Sequence, residues 1–168
     1  MTCAKAMFTD FVSASPQQTV GDALRLLEQH CVRAMPILDG EGAIVGEFHF
    51  RVLLAHLLPI TGEVDLMGMG NASGGLLDHN LKLSSLVGER SEMTCADRLK
   101  TLMAIPLQEV MDPNHVLTHP ETPLLECIRL LVKHRGPLGV VEKGEKKLIG
   151  LVTVQSTIRA LERITAES

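Results

Sequence analysis

The side chains best suited to chemistry in this chain are its seven histidines and four cysteines, and their spacing argues against most of what they can do. Metal and redox centres are commonly announced by Cys or His in close pairs such as CxxC. Cys3, Cys31, Cys95 and Cys127 form no such pair. Cys127 and Leu131 share a helix face, which reads as a buried thiol. His115 and His119 are four apart, but their segment reads as extended chain, which separates them. Gly68, Gly70, Gly74 and Gly75 imitate a phosphate loop only in glycine content: no Lys-Ser or Lys-Thr follows, and no strong strand precedes. No nucleophile, base and orienting acid can be paired by spacing. The sequence therefore predicts no catalytic residues, no metal site and no required cofactor.

What remains is a pattern stated twice. Pro16 and Pro120, Arg25-Leu26-Leu27 and Arg129-Leu130-Leu131, His30 and His134, and Gly46 and Gly150 each lie 104 residues apart. Such a repeat predicts two similar units around a pseudo-two-fold axis, with equivalent clefts between them. In the first copy Thr19 and Asp22 approach a capping box. Val20, Ala23, Leu24, Leu27 and Cys31 follow with helical spacing. Met35 to Leu38 reads as a buried strand, Asp39-Gly40-Glu41-Gly42 as a turn, Ala43 to Phe48 as the returning strand, and Val52 to Leu58 as a second helix. In the second copy Thr122-Pro123 predicts a cap and a first-turn proline before the Leu124, Cys127, Ile128, Leu131 stripe. Strands over Leu138 to Val141 and Leu148 to Val152 and a helix over Ser156 to Ile164 complete it. Extended segments, Thr9 to Ala14 and Asn114 to Thr118, lead in. His30 and His134 fall in the last turns of matching helices, where the dipole favours a cation.

The unmatched stretch 60–105 carries the glycine-rich loop Met67 to Gly75, a weakly periodic run over Leu76 to Val87 and a short helix over Cys95 to Met103. At 168 residues the chain suits one domain or two small, closely packed ones. Its net charge of −4 gives no electrostatic case for nucleic acid. No apolar run approaches the ~20 residues needed to cross a bilayer, and MTCAKAMFTD lacks a signal peptide's apolar core; a cytoplasmic protein is expected. With no Trp or Tyr, and four Phe confined to the first half, stacking on aromatics is poorly supplied. A planar base can still slot between aliphatic side chains.

The order of elements and their wording resemble the CBS (cystathionine-β-synthase) domain. Glu109-Val110-Met111-Asp112-Pro113 is similar to the family's opening phrase, Met35-Pro36-Ile37-Leu38-Asp39-Gly40 to its central strand and turn, and Gly150-Leu151-Val152-Thr153 to its Gly-h-h-Thr signature, where h is apolar. The resemblance implies an α/β fold in which a first repeat (1–59) and a second (106–168), separated by the insert 60–105, form one Bateman module. It also implies a homodimer, a regulatory role without chemistry, and an adenine-containing ligand: AMP, ADP, ATP or S-adenosylmethionine.

In that family the signature continues to an Asp that accepts hydrogen bonds from ribose hydroxyls, a role suited to a two-oxygen acceptor. Here the second copy keeps Thr153 but has Ser156 at the Asp position, and the first copy has His49 and Val52. The resemblance therefore assigns ligand binding to the second-copy cleft: Thr153 and Ser156 on ribose, Val116, Leu117, Gly136, Pro137 and Leu138 around the base, and Arg51, Arg135 or Arg159 on phosphate. Structural readings stand beside these: Thr153 as a strand residue, Ser156 as a helix cap, His49 as a partly buried structural side chain. The alternative function is a ligand-independent scaffold for dimerisation or for docking a separate target protein.

Overall fold

The computed structural model describes residues 1–57 and 94–167. The glycine-rich loop and the Leu76 to Val87 run lie outside them. The first repeat holds α1 (Val20–Gln29), β1 (Ala34–Leu38), β2 (Ile44–His49) and α2 (Phe50–Leu57), followed by α3 (Cys95–Met103). The second holds β3 (Val116–Thr118), α4 (Leu124–His134), β4 (Leu138–Val141), β5 (Leu148–Val152) and α5 (Val154–Glu167). Short 3₁₀ turns at Cys3–Lys5 and Leu107–Glu109 open the two repeats.

Helix α1 begins as its sequence demands. Thr19 accepts from the Asp22 N–H, and Asp22 reaches back to the Thr19 N–H, closing a capping box. Val20, Ala23 and Leu27 then bury one face against β1, β2 and the inner side of α3. In α4 Leu124, Cys127 and Leu131 do the same for the second core. The expected Thr122 cap is not made: Thr122 instead accepts from the His119 N–H in the preceding turn, and the helix opens after Pro123 without a side-chain cap. Each helix ends on a non-glycine residue in left-handed conformation, Cys31 (φ 52°) and Arg135 (φ 62°), at matching positions of the repeat.

β1 and β2 pair antiparallel, as do β4 and β5, and β3 joins β4 in parallel. Strand β4 is one residue shorter than β1, and the second hairpin turn is one residue longer. The two changes cancel, so β2 and β5 stay 104 residues apart.

The repeats exchange their leading arms. Residues 2–8 dock on the second repeat, through Cys3 N–H to Thr122 O (2.7 Å) and a reciprocal Phe8–Leu151 bridge. Residues 106–112 dock on the first, through Leu107 N–H to Gln18 O (2.8 Å) and a reciprocal Glu47–Asp112 bridge. Every one of these pairs matches its twin at the 104-residue offset. Cys3 and Ala6 are thus part of the second core, and Leu107 and Val110 of the first. Gly46 and Gly150 let the arms approach: a Cβ there would lie 2.7 Å from the Met111 sulfur and 2.5 Å from Met7 Cγ. A third cluster, Val141, Leu148 and Leu151 with Phe8, Phe11 and Leu38, closes the space between repeats. Among the described residues no helix is long and apolar enough to cross a membrane.

Candidate functional site

Val116, Leu138 and Val152 stand in one row across β3, β4 and β5. That register brings the Val116 strand, the β4 entrance at Gly136-Pro137-Leu138 and the turn after β5 to one edge of the sheet. Pro137 and Leu138 are buried there. Leu117, opposite Gly139, is 41% exposed although it sits in a strand. A Cβ on Gly139 would lie 2.9 Å from Leu117 Cδ2, so the glycine makes room for that side chain.

Thr153 is the cap of α5, not the last residue of a strand. Its hydroxyl accepts from the Ser156 N–H (3.1 Å), while Ser156 Oγ accepts from the Thr153 N–H (2.9 Å) and donates to the Thr153 carbonyl (3.1 Å). This is a capping box in which serine takes the acidic role. Helix α5 therefore starts two residues before Ser156, and Ser156 is its third residue. The Thr153 hydroxyl keeps its own hydrogen and one lone pair, whereas Ser156 has already used its hydrogen. Arg135 and Arg159 are exposed, at the end of α4 and on α5. Arg51 is exposed on α2, in the first repeat, close enough to His49 to act on its charge.

The first-copy turn is built differently. His49 Nδ1 accepts from the Val52 N–H (3.3 Å), so the imidazole caps α2 where Thr153 caps α5. Its Nε2 lies 4.0 Å from Asp112. Burial pulls the His49 pKa below its ordinary value, Asp112 opposing and Arg51 assisting; a neutral ring is the form that can accept the cap bond. The reading of His49 as a structural side chain agrees with this geometry. Phe50 opens the helix α2 and is not part of an alternating strand.

One pair escaped sequence reasoning. Glu47, on β2, is 2% exposed, and both its oxygens face His134 Nε2 at 3.3 and 3.4 Å. His134 does end its helix, but its ring is committed across the repeat boundary. The available signal was positional: Glu47 occupies the place that Leu151 fills in the second copy, so a charge stands where the pattern is apolar. The other expected bystanders have local roles, His119 Nδ1 facing the Val141 carbonyl (2.9 Å) and His115 Nδ1 that of Pro113 (3.0 Å). Among the described residues no cluster of His, Cys, Asp or Glu could hold a metal.

Two exchanged α/β repeats with paired signature turns define a tandem module. A family model for the CBS domain matches residues 3–59 and 107–163. The chain belongs to the CBS domain family, as a tandem pair. Among solved structures it is similar to CBSX2 in complex with AMP, at 24% identity, with 98% of each chain covered and a TM-score of 0.67. A second CBSX2 structure, from Arabidopsis thaliana, matches at 22% identity over 99% of this chain and 98% of that one, TM-score 0.65. MJ1225 from Methanocaldococcus jannaschii, described as a candidate archaeal homolog of g-AMPK, matches at 23% identity, 98% of this chain and 51% of that one, TM-score 0.67. These likenesses support the fold. No curated protein matches.

Proposed function

We propose that this chain is a regulatory module, without chemistry of its own, that binds an adenine-containing ligand in the second-copy cleft. AMP, ADP, ATP and S-adenosylmethionine are the candidates. The observation that carries this reading is the Thr153 turn: a hydroxyl with an unused hydrogen, directly after the sheet row Val116, Leu138 and Val152. The AMP complex of the similar CBSX2 supports the choice of adenine. Thr153 would donate to ribose or phosphate, with Ser156 contributing at most its remaining lone pair. Val116, Leu117, Gly136, Pro137 and Leu138 would enclose the base. Arg135, just past the end of α4, and Arg159, on α5, would reach phosphate from the second repeat; Arg51 would have to reach from the first. Lacking the ribose Asp, the site gives up a charge-assisted bond of about 1.5–3 kcal/mol, roughly tenfold to a hundredfold in affinity. Thermal stabilisation by each candidate, in wild type and Thr153→Ala, tests the reading. Stabilisation that the variant loses supports it; none by any candidate refutes it.

The signal would pass to a separate target protein in the cytoplasm, through a homodimer. Phe50, Leu54 and Leu57 on α2 recur as Val154, Ile158 and Leu161 on α5, both at i, i+4, i+7. Leu54 (61%), Val154 (60%) and Ile158 (50%) are exposed. Two apolar stripes related by the internal two-fold can meet the same two stripes of a second copy in an isologous contact. Sedimentation of Leu54→Glu/Ile158→Glu should give a monomer where wild type gives a dimer. The scaffold reading, in which dimerisation or docking is the whole function, draws support from Ser156, whose hydroxyl is spent on its own helix.

A further inference from the structure

Among the described residues one buried charged pair crosses the boundary between repeats, and it is tightly built. Glu47 and His134 lie 87 positions apart in sequence, are 2% and 13% exposed, and meet through both carboxylate oxygens. They tie β2 of the first repeat to the end of α4 in the second. Gly136 rests on both: a Cβ there would lie 2.9 Å from Glu47 Oε2 and 3.0 Å from His134 Nε2. The pair therefore packs against the backbone that opens β4. The other titratable groups facing the pair are Asp112 and His115, on and after the exchanged arm, and His49 at the end of β2, which Arg51 in turn faces.

We propose that Glu47 and His134 form a pH-sensitive clasp between the repeats, tight while it holds a proton and slackened when alkaline pH removes it. Gly136 carries the change into the start of β4. With the proton present, a cationic imidazole answers a buried carboxylate. Without it, a neutral N–H faces a buried anion, a weaker bond beside an uncompensated charge. Asp112 adds to that excess of negative charge, and His115 offsets part of it. The Glu47 bond raises the His134 pKa above its ordinary 6.5, against burial. Burial raises Glu47, which His134 only partly counters. Both shifts have the same sense: the folded state holds its proton more tightly than the unfolded chain does. The His134 share of this stabilisation is thus fully present below its ordinary 6.5 and is lost as pH rises through the raised His134 value.

The test is an NMR titration of the His134 ring and the Gly136 amide in the full chain, from about pH 5.5 to 9, spanning the histidine range. The clasp predicts one shared midpoint above 6.5 for both signals. In Glu47→Gln the ring should bind its proton more weakly, lowering its midpoint, and the Gly136 amide should stop following it. A wild-type midpoint at or below 6.5, or a Gly136 amide indifferent to the ring, overturns the proposal. Those wild-type signals decide even if Glu47→Gln does not fold, and neither depends on whether a nucleotide binds.

Discussion

The two halves of the repeat boundary have the same backbone and opposite chemistry. On one side Phe8, Phe11 and Leu151 belong to one apolar cluster. On the other, the matching positions are Asp112, His115 and Glu47, and the turn carries His49. The apolar side leaves a hydroxyl uncommitted at its turn. The charged side spends its groups on one another, His49 on the Val52 cap and Glu47 on His134. The repeat sets two turns at matching positions, His49 and Thr153. On the reading proposed above, Thr153 serves a ligand site and His49 adjoins a joint.

The largest effect should come from removing the arm that serves the apolar side. Deletion of residues 1–8 strips Cys3, Ala6, Met7 and Phe8 from the second core and its margin. At about 1.5–3 kcal/mol for each large side chain, the loss is on the order of 5 kcal/mol. Hydrogen exchange should show β4 and β5 deprotected well before β1 and β2; equal loss in both repeats would contradict the exchanged-arm account. On the charged side, His134→Leu leaves Glu47 buried and unpaired and should cost about 3–5 kcal/mol at neutral pH in urea unfolding. Adding Glu47→Leu, which copies Leu151, should restore most of it. A double variant as weak as the single would show that the two boundaries are not interchangeable.

Smaller effects refine the comparison. Gly150→Ala drives a methyl group against Met7 and the Phe8 carbonyl, and Gly46→Ala against Met111 and the Asp112 carbonyl. Each should cost about 1–3 kcal/mol as overpacking, and similar values in the two would confirm that the arms dock alike. The smallest expected change is a gain. Arg135→Gly relieves a left-handed non-glycine residue and should stabilise by up to about 1 kcal/mol, read as a raised midpoint in thermal melts. If Arg135 holds a phosphate, the same variant should lose nucleotide affinity while gaining stability.

The architecture was legible because it was written twice. Strands β4 and β5 match their sequence boundaries, as does α3, because short apolar runs between turn residues leave few alternatives. Helix starts were less legible. Thr122 and Ser156 looked like caps by residue type, but the 104-residue register places the turns of α2 and α5 at His49 and Thr153, and the capping bonds follow that register. Glu47 and His134 were illegible as a pair because 87 residues of chain separate them. Their contact exists only once the two repeats have packed. Each residue alone had a plain local reading, a strand position and a helix end. The Thr153 turn lay between these cases: its residues stand in the signature, while Ser156 spends its hydroxyl on the cap only once the turn has folded.

The most direct test of the central claim is nucleotide binding itself. Without Trp or Tyr the protein absorbs very little near 260–280 nm, so an ultraviolet spectrum of freshly purified protein, with mass spectrometry of the heat-released supernatant, reads occupancy with little background. The account predicts a 260 nm peak from an adenine compound in wild type, much diminished in Thr153→Ala and retained in His49→Ala. A bare wild-type spectrum, with no thermal stabilisation by added AMP, ADP, ATP or S-adenosylmethionine, would contradict it and leave the scaffold as the function.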